Sequence, residues 1–141
     1  MTEPGAKIVE QTIRINARPE TVWTYWTDPR RMCEWWGKSA ELDPQPGGTM
    51  RVEMESGPVM LGEYVQLTPF ELLVFTFGWE PIGGAPNVGP GESRVEVTLT
   101  DDAGDTIMTL RHTGIPVAFA DHHAAGWSHF LAALASTVRN A

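Results

Sequence analysis

Apolar and polar positions alternate over residues 7 to 15, where Ile8, Ile13 and Ile15 are interleaved with Glu10, Gln11 and Arg14. That pattern predicts a strand with one solvated face. Ala17-Arg18-Pro19-Glu20 then breaks the alternation, and Val22, Trp23 and Trp26 follow at helical spacing with Pro19 suited to the first turn. A short helix ending near Thr27 is expected. Asp28-Pro29 repeats the start signal, with Asp28 as N-cap, and opens a second short helix carrying Met32, Trp35 and Trp36 that Gly37 can end.

Period two returns beyond residue 38 and predicts strands near 38–43, 49–55, 59–68, 71–80, 93–101 and 105–113. Pro46-Gly47-Gly48, Ser56-Gly57-Pro58, Pro69 and Asp101-Asp102-Ala103-Gly104 separate them with turn chemistry, so consecutive strands are expected to run antiparallel as a meander. The exception is 81–92, where seven of twelve residues are Gly or Pro, and a mobile rim loop is expected there. Gly114-Ile115-Pro116 stops the last strand. From about Asp121 to Arg139 the chain reads as one helix, with Trp127, Leu131, Leu134 and Val138 at spacings of four, three and four. The order β-α-α-β6-α predicts an α+β fold in which a curved antiparallel sheet grips the long C-terminal helix, as one domain over residues 1–141.

Composition narrows the function classes. A chain of 141 residues can bury a core without disulfide or metal, and the lone Cys33 allows no intrachain disulfide and reads as a core filler. A formal net charge of -8 with scattered Lys and Arg argues against nucleic acid and anionic membranes. No apolar run approaches a membrane span, and the first seven residues lack the pattern of a signal peptide, so residence in the cytoplasm is expected. Six tryptophans in so short a chain can build a thick core or line a cavity.

Strand parity assigns faces. Met50, Val52 and Met54 share one side, Phe75, Phe77 and Trp79 another set, and Met108, Leu110 and His112 a third, all facing the terminal helix. With Trp35, Trp36, Trp127 and Leu131 these give the candidate ligand wall, although Met and aromatic residues also fill ordinary cores. His112 can orient a ligand carbonyl or exchange a proton, or it can be a core histidine satisfied by backbone or a Trp partner. Glu63 shares parity with Val65 and Leu67 and is a candidate pocket carboxylate, unless a bulge reverses the register. His122, His123 and His129 invite a metal reading, since 122 and 129 are seven apart and can share a helix face, but no His-Glu-x-x-His motif is present and no carboxylate sits at matching spacing, so no metal is expected. No cofactor is expected either. Gly126 inside the helix costs ~1 kcal/mol relative to Ala and suggests close approach to sheet or ligand.

Six stretches, Met32-Cys33-Glu34-Trp35-Trp36-Gly37, Pro46-Gly47-Gly48-Thr49-Met50-Arg51, Gly62-Glu63-Tyr64, Leu73-Val74-Phe75-Thr76, Leu110-Arg111-His112-Thr113-Gly114-Ile115-Pro116 and His123-Ala124-Ala125-Gly126-Trp127, resemble the activator of heat-shock-protein-ninety ATPase homologues. That family belongs to the START-like, birch-allergen-like helix-grip (SRPBCC) superfamily. The resemblance implies the helix-grip fold and three kinds of function: binding an apolar or amphipathic small molecule between sheet and helix, a co-chaperone-like module contacting a chaperone or other protein, and a cyclase- or hydrolase-like enzyme. A homodimer is compatible with a small domain that has a sheet edge.

Overall fold

The computed structural model describes residues 7–81 and 88–138. The elements run β1 (Lys7–Ile15), α1 (Pro19–Thr27), α2 (Pro29–Met32), β2 (Ser39–Leu42), β3 (Thr49–Glu53), β4 (Val59–Thr68), β5 (Leu72–Phe77), β6 (Ser93–Asp102), β7 (Asp105–Ile115) and α3 (Val117–Thr137). All strands join one antiparallel sheet in the order β1-β7-β6-β5-β4-β3-β2, so β2 to β7 form the expected meander and β1 returns to pair with β7. This is the α+β helix-grip architecture.

Local chemistry explains the helical plug. Pro19 and Pro29 occupy first-turn positions, and the Asp28 side chain accepts a hydrogen bond from the Arg30 amide at 2.9 Å. The second helix stops at Met32, earlier than the sequence pattern predicts, and Cys33–Trp36 continue as turns. From these turns both the Trp35 and Trp36 rings enter the core, where they stack at 5.3 Å with 17° between planes. Cys33 is only partly buried, so it is not the core filler the composition suggests.

The core lies between the concave sheet face, this plug and α3. Trp26 is fully buried at its centre, with the rings of Trp35, Trp36, Phe75 and Trp127 between 4.8 and 6.5 Å away. Met50, Val52 and Met54 point inward, as do Val95, Val97 and Leu99, and the helical stripe Trp127, Leu131, Leu134 and Val138 is buried throughout. The helix begins at Val117, one turn before the expected Asp121. Pro116 has the extended ψ of 140° that an entry residue needs, and the Phe119 amide donates back to its carbonyl at 2.9 Å.

Half of the loop expected at 81–92, residues 82–87, lies outside the described residues. Val88, at the described end of that loop, is fully buried, and its carbonyl accepts from the Trp79 amide at 2.8 Å. Among the described residues no helix is long and apolar enough to cross a membrane.

Candidate functional site

The sheet does not close on α3 along its whole length. An open cleft of about 640 Å³ separates the helix from the β3–β4 turn and the end of β5. Met54, Ser56 and Pro58 form the wall on the turn side, and Trp36 enters from the plug. Phe77 and Trp79 come from the end of β5, where an isolated bridge between Met60 and Trp79 extends the pairing past the strand. The opposite wall is α3, through His122, His123, Ala125, Gly126, Trp127, His129 and Phe130.

Of the residues expected to line a ligand site, Trp36, Met54, Phe77, Trp79 and Trp127 meet around this space. Trp35, Phe75, Met108 and Leu131 are buried behind them as core. The Trp35 indole donates to the Tyr25 carbonyl at 2.9 Å, which anchors the Cys33–Trp36 turns to α1.

Glu63 is a correction, because its side chain is exposed and faces away from the core. Strand β4 shifts register between Tyr64 and Gln66, so upstream of that irregularity the inward residues are Met60, Gly62 and Tyr64. A Cβ at Gly62 would run into the Thr76 carbonyl, so only glycine permits the close strand approach there. Tyr64 is almost fully buried, its hydroxyl donates to the Trp26 carbonyl at 3.1 Å, and burial pushes its phenol well above the ordinary range.

His112 is fully buried behind the cleft rather than in it. The Trp127 indole N–H donates to Nδ1 at 3.0 Å, which assigns the imidazole proton to Nε2. Nε2 then donates to Ser93 Oγ at 2.8 Å, and that hydroxyl donates to the Phe77 carbonyl at 2.7 Å. The chain is complete with a neutral ring, and burial lowers the His112 pKa to about 3, with the neighbouring His123 adding to the effect. His112 is thus the satisfied core histidine of the two readings, and with Glu63 outside the two form no acid-base pair.

His123 is bound in the mirror arrangement. Nδ1 donates to the Phe119 carbonyl at 2.9 Å, leaving Nε2 to accept from the Trp79 indole at 3.2 Å. Desolvation lowers its pKa, the carbonyl bond opposes this, and His122 adds a smaller lowering. The Trp79 bond ties the rim of β5 to α3 across the inner end of the cleft. His122 and His129 are exposed at its mouth. Among the described residues no cluster of three or more His, Cys, Asp or Glu is placed to hold a metal ion.

Sequence reasoning missed Ser56, Pro58, Ala125 and Phe130, and weighed the α3 histidines only as metal ligands. Their spacing carried the signal, since 122, 126, 129 and 130 share a helix face beside the Trp127 stripe.

A curved sheet gripping a C-terminal helix over a ring-walled cleft defines a helix-grip protein of the START-like class. Residues 16–139 match the family described as "Activator of Hsp90 ATPase homolog 1-like protein", and the chain belongs to that family. An AHSA1-like protein from Rhizobium etli is similar in structure at TM-score 0.71 and 32% identity, over 92% of this chain and 80% of that one. DynU16, from the dynemicin biosynthetic locus, aligns at TM-score 0.78 and 28% identity over 92% of this chain, which spans only 46% of DynU16. The Aha1 dimer from Colwellia psychrerythraea shares the fold at TM-score 0.77 and 19% identity, covering 94% of this chain and 96% of that one. No protein of curated function matches the chain.

Proposed function

We propose that the chain binds a small apolar or amphipathic molecule in the cleft between α3 and the β3–β4 and β5 ends. The observation that carries this reading is the open volume of about 640 Å³ walled by Trp36, Phe77, Trp79 and Trp127. The size lies within the range of small-molecule sites, and the wall combines apolar rings with a few polar groups at the mouth. A thermal-shift screen with fatty acids, sterols and aromatic acids tests it. Ligands from that set raise Tm, and Trp79→Ala or Phe130→Ala diminishes the rise; a set that leaves Tm unmoved overturns the reading.

A second reading, a protein-interaction module or homodimer, draws on different surface. Val117 and Phe119 in the first turn of α3 and Ile8 on β1 are exposed apolar residues on two elements that pack together. The family's chaperone-linked name and the dimeric Aha1 relative point the same way. Sedimentation at rising concentration tests self-association, with Phe119→Ser reversing any dimer; a monomer throughout removes that form of the reading.

A further inference from the structure

Gly126 sits near the middle of a helix of 21 residues, although glycine is the poorest helix former after proline. Close packing would explain it, and does explain Gly62 and Gly78, where an added Cβ would collide with the backbone of Thr76 and of Gly89. Gly126 is different. Among the described residues, beyond its own helix backbone and chain neighbours, no atom lies within 4 Å of the place its Cβ would take. Nor does the backbone demand glycine, since its φ is not in the left-handed region.

The vacant position is also central. Residues three and four away share its face of the helix. Those neighbours are His122 and His123 on one side and His129 and Phe130 on the other, and all four line the cleft. The missing side chain is therefore a notch in the middle of the helical wall, facing the rings of Trp36, Phe77 and Trp79.

We propose that Gly126 is the specificity-determining residue of this cleft, its notch seating a planar aromatic ligand against the α3 backbone with a polar or anionic end at the histidine rim. The inference rests on the binding reading above and narrows it. A slot between bare helix backbone and a ring wall favours a flat body that can stack. Among the described residues the ionisable side chains lining the cleft are histidines alone; His123 has both ring nitrogens engaged, so the exposed His122 and His129 supply the hydrogen bonds for a polar or anionic end, and no carboxylate is there for a cationic ligand.

Calorimetric titration with 2-naphthoate and with decanoate, equal in charge but flat against flexible, tests the proposal on wild type, Gly126→Ala, Gly126→Leu and Ser128→Ala. Ser128 is exposed on α3 and does not line the cleft. Gly126→Ala raises Tm by about 3 °C, because a better helix former enters empty space. Gly126→Leu stays folded and weakens 2-naphthoate binding by about tenfold or more, while Ser128→Ala changes neither property. Full 2-naphthoate affinity in folded Gly126→Leu, or a lowered Tm in Gly126→Ala, overturns the role of the notch while leaving the binding site standing. Wild type that binds decanoate but not 2-naphthoate overturns the planar ligand class. Wild type that binds neither overturns the proposal together with the reading beneath it.

Discussion

Two buried tryptophans that look alike in the sequence have different electrostatic situations. Trp26 is fully buried and its Nε1 is the one buried side-chain polar atom without a partner among the described residues. Trp127 is 3% exposed and donates to His112, closing the chain that runs through Ser93 to the Phe77 carbonyl. Replacing either by Phe removes ring volume, but only Trp127→Phe also strands a buried imidazole nitrogen, a defect worth about 1–3 kcal/mol. Urea unfolding is expected to show Trp127→Phe as the more destabilised variant by roughly 1 kcal/mol or more. Equal losses would mean that the His112 bond adds nothing to stability.

Among the described residues, the turns between elements hold two residues in the left-handed region without being glycine. Phe70 has φ 72° in the turn closed by the Glu71 amide donating to the Thr68 carbonyl, and its ring meets Trp23 at 6.1 Å. That contact gives a reason for a bulky residue in a conformation that disfavours it. Ala103 has no such compensation: with φ 57° beside Gly104 at 89°, it occupies a two-residue hairpin between Asp102 and Asp105. Positive φ at both positions is the type I′ pattern that Asn-Gly satisfies best. Ala103→Asn is expected to stabilise the protein by about 0.5–1 kcal/mol in urea or thermal unfolding, and a neutral or harmful effect would contradict the strain argument.

Elements bounded by local chemistry were legible in the same way. Pro19, Asp28-Pro29 and the Gly- and Pro-marked turns placed the plug and the meander because capping and turn geometry act over a few residues. The face of Glu63 was not legible, since the register shift after Tyr64 depends on how β4 meets β5 at Gly62 and Thr76. The cleft was half legible. Strand parity found Met54, Phe77 and Trp79, but where α3 leaves the sheet uncovered is a tertiary outcome that helical spacing alone cannot give.

At the scale of the whole molecule, two neutral buried histidines make folding sensitive to acid. The folded pKa of His112 is lowered to about 3, and that of His123 is lowered as well, mainly by desolvation in both cases. Between the ordinary histidine value of about 6.5 and about 3, only the unfolded chain takes up the His112 proton, so stability rises with pH. The stabilisation is fully present above about pH 6.5 and is lost as pH falls, at up to about 1.4 kcal/mol per unit from His112 alone. Denaturation between pH 7 and 5 reads this slope before most carboxylates titrate. His112→Asn is expected to flatten it, and an unchanged slope in that variant would place the acid sensitivity elsewhere.

The tryptophan cluster gives the molecule an optical consequence. Trp26, Trp35, Trp36 and Trp127 form a continuous set of ring neighbours no more than 6.5 Å apart, and two of them, with Trp79, reach the cleft. Excitation absorbed deep in the core can therefore migrate to rings that a bound molecule would touch. An occupant that displaces water from Trp79 should shift the emission to the blue, and one absorbing near 340 nm should quench the set together. The unlabelled protein would then report its own occupancy in a cuvette.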